Sequence, residues 1–194
     1  MIEAGTYMAA VAATGGCVRV ENVIPKHMDI ISSKLSEMGA VIEEEDDAIT
    51  VTVDKRLRAV NIKTAPYPGF PTDMHPQFSA LLATCDGVSE MNETVFDKRF
   101  RYVDELRNMG AVINVNGKIA RIAGVNRLTG NTVKAVDLRA GAAMIIAGLA
   151  AEGRTVITDV ESIQRGYANI VANFRDLGAD IEEIGYAVHI FNED

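Results

Sequence analysis

The sequence predicts an α/β domain built from three copies of one helix–strand–helix–strand unit, and three observations carry that prediction. Leu35-Ser-Glu-Met-Gly-Ala-Val-Ile42 and Leu106-Arg-Asn-Met-Gly-Ala-Val-Ile113 are nearly the same phrase, with Phe174-Arg-Asp-Leu-Gly-Ala-Asp-Ile181 as a looser third version. The glycines of the three phrases, Gly39, Gly110 and Gly178, stand 71 and 68 residues apart. Upstream, three runs of small residues, Ala12–Gly16, Ala83–Gly87 and Ala150–Gly153, each close an apolar helical stretch and lead into a β-rich segment. Such self-similarity at a fixed period marks a repeated supersecondary unit. The copies divide the 194 residues at about 1–58, 59–130 and 131–194, within a single domain.

Taken in order, copy one opens on its first helix, runs through a strand at Cys17–Val20, and closes its second helix at Gly39. A glycine at that point is the usual left-handed helix cap. The acidic run Glu43–Asp47 reads as a solvated turn before a strand at Ile49–Val53. Copy two begins with an apolar strand, Ala59–Thr64, then a loop holding three of the five prolines, then a helix opening near Asp73. Its later strands are Val88–Glu93 and Ile119–Ile122, and those of copy three are Thr132–Val136, Arg154–Asp159 and Ala187–Phe191. Copy one lacks a leading strand, because Met1 stands almost where its helix begins. The expectation is therefore a chain cut from a longer protein, since an absent strand leaves a sheet edge unpaired.

Composition narrows the function classes. A net charge of −8 argues against a nucleic-acid binder, which carries a basic face. Ala140–Ala151 is too short to span a bilayer, and no basic leader precedes an apolar run, so a soluble cytoplasmic protein is expected. Cys17 and Cys85 sit in apolar segments and read as buried free thiols. With His27, His75 and His189 they form no metal-ligand pattern, and the methionines read as core filler.

The residues left over can carry chemistry. Thr72 or Asp73 either caps the helix that follows the proline loop, or Asp73 is a carboxylate held at a helix start as a general base. Arg99 and Arg165 fall at the start of the second helix in copies two and three, and Asp137 and Arg139 begin the first helix of copy three. Taken singly, each arginine reads as a surface charge or an ion-pair partner. Three units about a pseudo-threefold axis would gather these helix starts at one end, where helix N-termini and arginines make an anion site.

With these segments in hand the chain resembles the UDP-N-acetylglucosamine 1-carboxyvinyltransferases, part of the enolpyruvyl transferase family. The match lies in Ala65-Pro-Tyr-Pro-Gly-Phe-Pro-Thr-Asp-Met74, Glu93-Thr-Val-Phe-Asp-Lys-Arg-Phe100, Asp137-Leu-Arg-Ala140, Arg165-Gly-Tyr167 and the opening Ile2–Thr6. His75-Pro76 departs from the family's glutamine-containing form. The resemblance implies the second of two lobes, each an inside-out α/β barrel, with the active site between them. It implies as substrates phosphoenolpyruvate and UDP-N-acetylglucosamine, no cofactor or metal, no nucleic-acid or membrane partner, and a role in peptidoglycan synthesis. It also implies roles by position. Asp73 would contact the sugar and take its 3-hydroxyl proton, and the Val95 backbone would touch the UDP-sugar. Arg165, Arg139 and Arg99 would hold the anionic substrate, with Asp137 near the reacting carbon. The family's reactive cysteine and lysine lie upstream, so the chain alone is expected to be inactive. Two other readings remain in view: a non-catalytic binding or regulatory domain, and the sibling transferase acting on shikimate 3-phosphate. An RNA-end cyclase is disfavoured by the acidic balance.

Overall fold

A computed structural model describes residues 1–192, apart from the side chain of Gln164. Unit one comprises α1 (Ile2–Thr14), β1 (Gly16–Glu21), α2 (Asp29–Met38), β2 (Val41–Glu44) and β3 (Ala48–Val53). Unit two comprises β4 (Ile62–Lys63), α3 (His75–Leu82), β5 (Val88–Asn92), α4 (Val103–Asn108), β6 (Val112–Asn116) and β7 (Ile119–Ala123). A short β8 (Leu128–Thr129) leads to unit three: β9 (Thr132–Lys134), α5 (Leu138–Ala150), β10 (Ala151–Glu152), β11 (Arg154–Thr158), α6 (Glu161–Gly166), α7 (Ile170–Asp176), β12 (Ile181–Ile184) and β13 (Ala187–Phe191).

Three helices lie inside, with the sheets and the other helices around them. α1, α3 and α5 pack on one another, and every residue of α3 and all of Ala140–Gly148 in α5 are buried. A helix apolar all round belongs in a core, and the small residues of these three let them approach closely. Around them stand three larger sheets, besides the two-stranded parallel pair β8–β10. Units two and three have the orders β4-β5-β7-β6 and β9-β11-β13-β12, with the leading strand parallel and the rest antiparallel. Unit one has only β1-β3-β2, so β1 stands at an open edge where the other two units carry a leading strand. The three sheets are separate, and the barrel is not closed.

The units are joined by the same contact. Arg58 N–H donates to Met38 O at 3.0 Å, and Thr129 N–H donates to Met109 O at 2.9 Å, so each leading segment rests on the end of the preceding unit's outer helix. The equivalent helix end in unit three is Leu177, where a groove of about 430 Å³ opens between Leu177–Asp180 and the segment from Gly15 into β1 at Val18. At the centre, one polar side chain from each unit meets the others. Thr6 Oγ1 lies 3.1 Å from the Tyr167 hydroxyl, and Gln77 Nε2 donates to both at 3.4 and 3.3 Å.

Several expectations need correction. Cys17 is exposed, because β1 lies at a sheet edge; Cys85 is buried as expected, and both thiols are free. Glu43 and Glu44 belong to β2 rather than to a turn. The leading strands are shorter than expected, at Ile62–Lys63 and Thr132–Lys134. The second helix of unit three is broken into α6 and α7 around Asn169, which adopts φ 53°. No described helix is long and apolar enough to cross a membrane.

Candidate active site

The proline loop sets the first functional side chain. Residues 65–71 form a tight excursion closed by Ala65 N–H donating to Phe70 O at 2.9 Å, with a cis bond at Tyr67–Pro68. A 3-10 turn, Thr72–Met74, then leads into α3, and no side chain caps either element. The capping alternative for Thr72 and Asp73 therefore fails. Asp73 instead bridges two arginines: its Oδ1 accepts from Arg99 at 2.9 Å and its Oδ2 from Arg139 at 3.2 Å. The carboxylate is 43% exposed, and the arginines 22% and 21%. The Arg99 guanidinium also lies 5.6 Å from the Phe96 ring centre, close enough for a cation–π contact.

Asp137 caps α5, its Oδ1 accepting from Ala140 N–H at 2.8 Å. That cap fixes the start of the helix and so delivers Arg139, two residues on, to Asp73. Arg165 is exposed in the last turn of α6 and does not join the ion pairs. Its neighbour Gly166 packs so tightly on Leu138 that an added Cβ would come within 2.6 Å of that side chain, which puts Arg165 beside the start of α5. The expectation that Arg99 and Arg165 begin second helices is corrected: Arg99 lies in the turn before α4, and Arg165 at the end of α6. Val95 is exposed; its N–H is committed to Glu93 at 2.7 Å, which leaves its carbonyl as the backbone group available to a ligand.

Behind the rim lies a buried polar network that sequence reasoning misses. Glu93, 1% exposed, accepts from the hydroxyls of Thr64 and Thr72 and from the N–H groups of Val95 and Phe96. Burial pushes its carboxyl upward, but these hydrogen bonds outweigh burial and hold it below the usual carboxylate range. His75, fully buried, stands with Nδ1 3.4 Å from Glu93 Oε2 but outside hydrogen-bonding geometry, and with Nε2 3.1 Å from the Tyr102 hydroxyl. Tyr102 donates to Ser79 Oγ at 2.7 Å. Burial drives the His75 pKa down, assisted by Arg99 and opposed by Glu93. The signal for Glu93 is present as an acid at the end of an inward-alternating strand, but only the fold shows which donors converge on it.

Chemically, the rim offers two guanidiniums, a helix N-terminus and a carboxylate able to accept a proton. This is an anion-binding surface with a base at its edge. The 430 Å³ groove beside β1 is lined by none of these residues.

Comparison with known proteins shows the family and the fold. The family described as EPSP synthase (3-phosphoshikimate 1-carboxyvinyltransferase) matches residues 1–174. UDP-N-acetylglucosamine 1-carboxyvinyltransferase 2 of Clostridium acetobutylicum is 57% identical over 180 residues, covering 93% of this chain and 43% of that protein. The Desulfofundulus thermocisternus protein named UDP-N-acetylglucosamine 1-carboxyvinyltransferase is 51% identical over 185 residues, covering 95% of this chain and 76% of that one. Among solved structures, the enolpyruvyl transferase NikO from Streptomyces tendae superposes with a TM-score of 0.83 at 26% identity, over 98% of this chain and 44% of that one. An EPSP synthase from Acinetobacter baumannii shares the fold with a TM-score of 0.71 at 19% identity, over 99% of this chain and 46% of that one. The chain therefore spans less than half the length of most of these relatives.

Proposed function

The chain belongs to the EPSP synthase family of enolpyruvyl transferases, and from that premise we propose that it is one lobe of an enzyme transferring enolpyruvate from phosphoenolpyruvate to the 3-hydroxyl of UDP-N-acetylglucosamine. The observation that carries the reading is the Asp73 carboxylate held between Arg99 and Arg139 on an open rim. The choice of acceptor sugar is supported by 50–57% identity to relatives named for that reaction, against 19% to an EPSP synthase. The route is addition followed by elimination. Asp73 accepts the proton of the sugar hydroxyl as its oxygen attacks C2 of phosphoenolpyruvate, whose C3 takes a proton from an acid on the other lobe. The tetrahedral adduct then loses a C3 proton to a base together with phosphate, which restores the carbon–carbon double bond.

Charge moves during both steps among carboxylate and phosphate oxygens. Fixed guanidiniums that hold those oxygens more tightly as charge builds lower the barrier. While Asp73 occupies Arg99 and Arg139, it also occupies donors that an anionic substrate needs. Binding phosphoenolpyruvate therefore requires that these contacts open, freeing the carboxylate beside the sugar. Arg165 and Arg139 hold the anion, Asp137 fixes the start of α5 near the reacting carbon, and the Val95 carbonyl takes a donor from the UDP-sugar. No metal or organic cofactor enters.

The remaining catalytic groups come from the other lobe, and a short strand from the same partner segment lies in the groove beside β1. The reaction places the enzyme at the start of peptidoglycan precursor synthesis in the cytoplasm. The test is reconstitution. The chain alone is expected to give no turnover, and the chain combined with the complementary half of a relative should release phosphate with UDP-N-acetylglucosamine as acceptor. Asp73→Asn should lower that rate by about 100-fold or more, the range typical for loss of a general base. Turnover with shikimate 3-phosphate and none with the nucleotide sugar would assign the chain to the sibling reaction. Turnover by the chain alone would sink the half-site reading.

A further inference from the structure

Glu93 is the only acidic side chain fully buried among the described residues. It stands one residue beyond β5, and its two oxygens collect donors from two separate segments. Oε1 accepts from Thr64 Oγ1 at 2.9 Å, Val95 N at 2.7 Å and Phe96 N at 3.0 Å; Oε2 accepts from Thr72 Oγ1 at 2.7 Å. Thr64 and Thr72 are the two feet of the proline loop, and Asp73 directly follows the second. Thr94 adds a backbone link, its N–H donating to Thr64 Oγ1 at 2.9 Å. One carboxylate thus ties the loop that carries Asp73 to the turn that carries Val95.

We propose that Glu93 is a positioning residue of the transferase, locking the Asp73 loop and the Val95–Phe96 turn into one rigid unit so that proton acceptor and sugar-holding backbone keep a fixed separation. The proposal rests on the function assigned to the rim above. An acid fits this position better than any neutral side chain, because four donors converge on it and no donor of its own is needed. Glutamine has nearly the same shape but replaces one acceptor oxygen with an amide that presents two more donors. Glu93→Gln is therefore the variant that keeps packing while loosening the clamp, whereas alanine would orphan all four donors at once.

Two measurements decide it. In this chain, amide hydrogen exchange on Glu93→Gln should speed by about tenfold or more at Val95, at Phe96 and through residues 65–73 together, as a cooperative local opening does. Faster exchange confined to Val95 and Phe96, or no change, would overturn the proposal. In the two-lobed enzyme, the same variant should lower kcat by about 10- to 100-fold, the cost of misplacing reacting groups by about 1 Å. The KM for UDP-N-acetylglucosamine should rise while that for phosphoenolpyruvate stays within about twofold, a split that mere loss of folded enzyme does not produce. Unchanged kcat, or equal rises in both KM values, would also overturn it. If the wild-type pair transfers nothing, the parent reading falls, and the exchange experiment alone decides whether Glu93 couples the two segments.

Discussion

A carboxylate that touches two guanidiniums and is still 43% exposed can exchange those partners for a ligand, and that property separates Asp73 from an ordinary structural ion pair. His75 illustrates the opposite case, a titratable group with no access to solvent. Its folded-state pKa lies below the ordinary value of 6.5, mainly through burial. The unfolded chain therefore binds a proton as pH falls below about 6.5 while the folded chain resists it, so stability is lost as the pH drops through that window. Glu93, whose pKa is held down by its hydrogen bonds, adds to the loss further into acid. Urea midpoints of the wild type should fall from pH 7 towards pH 4. His75→Gln should flatten the upper part of that decline, by on the order of 1 kcal/mol or more. A parallel pair of curves would show that His75 does not titrate as its burial demands. At this scale Asp73, Arg99, Asp137 and Arg139 are legible in the sequence because their chemistry sits in unusual local segments. Glu93, His75 and Tyr102 are not, because their importance lies in contacts between residues up to 29 positions apart.

Among the elements, the helices that end in glycine are the most readable part of the chain. Gly39, Gly110 and Gly178 have φ of 110°, 91° and 99°, so each cap needs a left-handed backbone that other residues adopt only at a cost. A Cβ added at Gly110 or Gly178 would meet nothing within 4 Å, which isolates the backbone strain from any clash. Gly110→Ala and Gly178→Ala should each lower stability by about 1–2 kcal/mol, measured by urea unfolding, without altering the secondary-structure spectrum. The sequence overstates the leading strands because apolar runs there continue past the hydrogen-bonded ladder into loops that pack on the core. It hides the split of the last outer helix for a related reason. Residues 161–176 have acceptable helical composition, and the break shows only in the backbone, where Tyr167 is extended and Asn169 left-handed. The exposure of Cys17 is equally invisible, because burial of a strand residue depends on whether a neighbouring strand is present, which its own segment does not encode.

For the molecule as a whole, the repeat predicts both the threefold arrangement and its asymmetry. Contacts from Arg58 to Met38 and from Thr129 to Met109 join successive units, and the third helix end, at Leu177, instead faces the groove beside β1. A segment paired parallel to β1 in that groove should stabilise the lobe. Fusing the corresponding strand of a relative ahead of Ile2 should raise the melting temperature by several degrees, at about 2–4 °C per kcal/mol for a chain of this size. No rise, with the added residues remaining fully labile to protease, would show that the groove is not the strand's seat. The polar triangle of Thr6, Gln77 and Tyr167 has a different implication. Gln77 still leaves its buried Oε1 without a partner, so this centre tolerates little further mismatch. Although the three units share a backbone plan, each brings a different donor or acceptor to the meeting point. Replacing any one by a duplicate of another would set two identical groups face to face, so the units have ceased to be interchangeable parts.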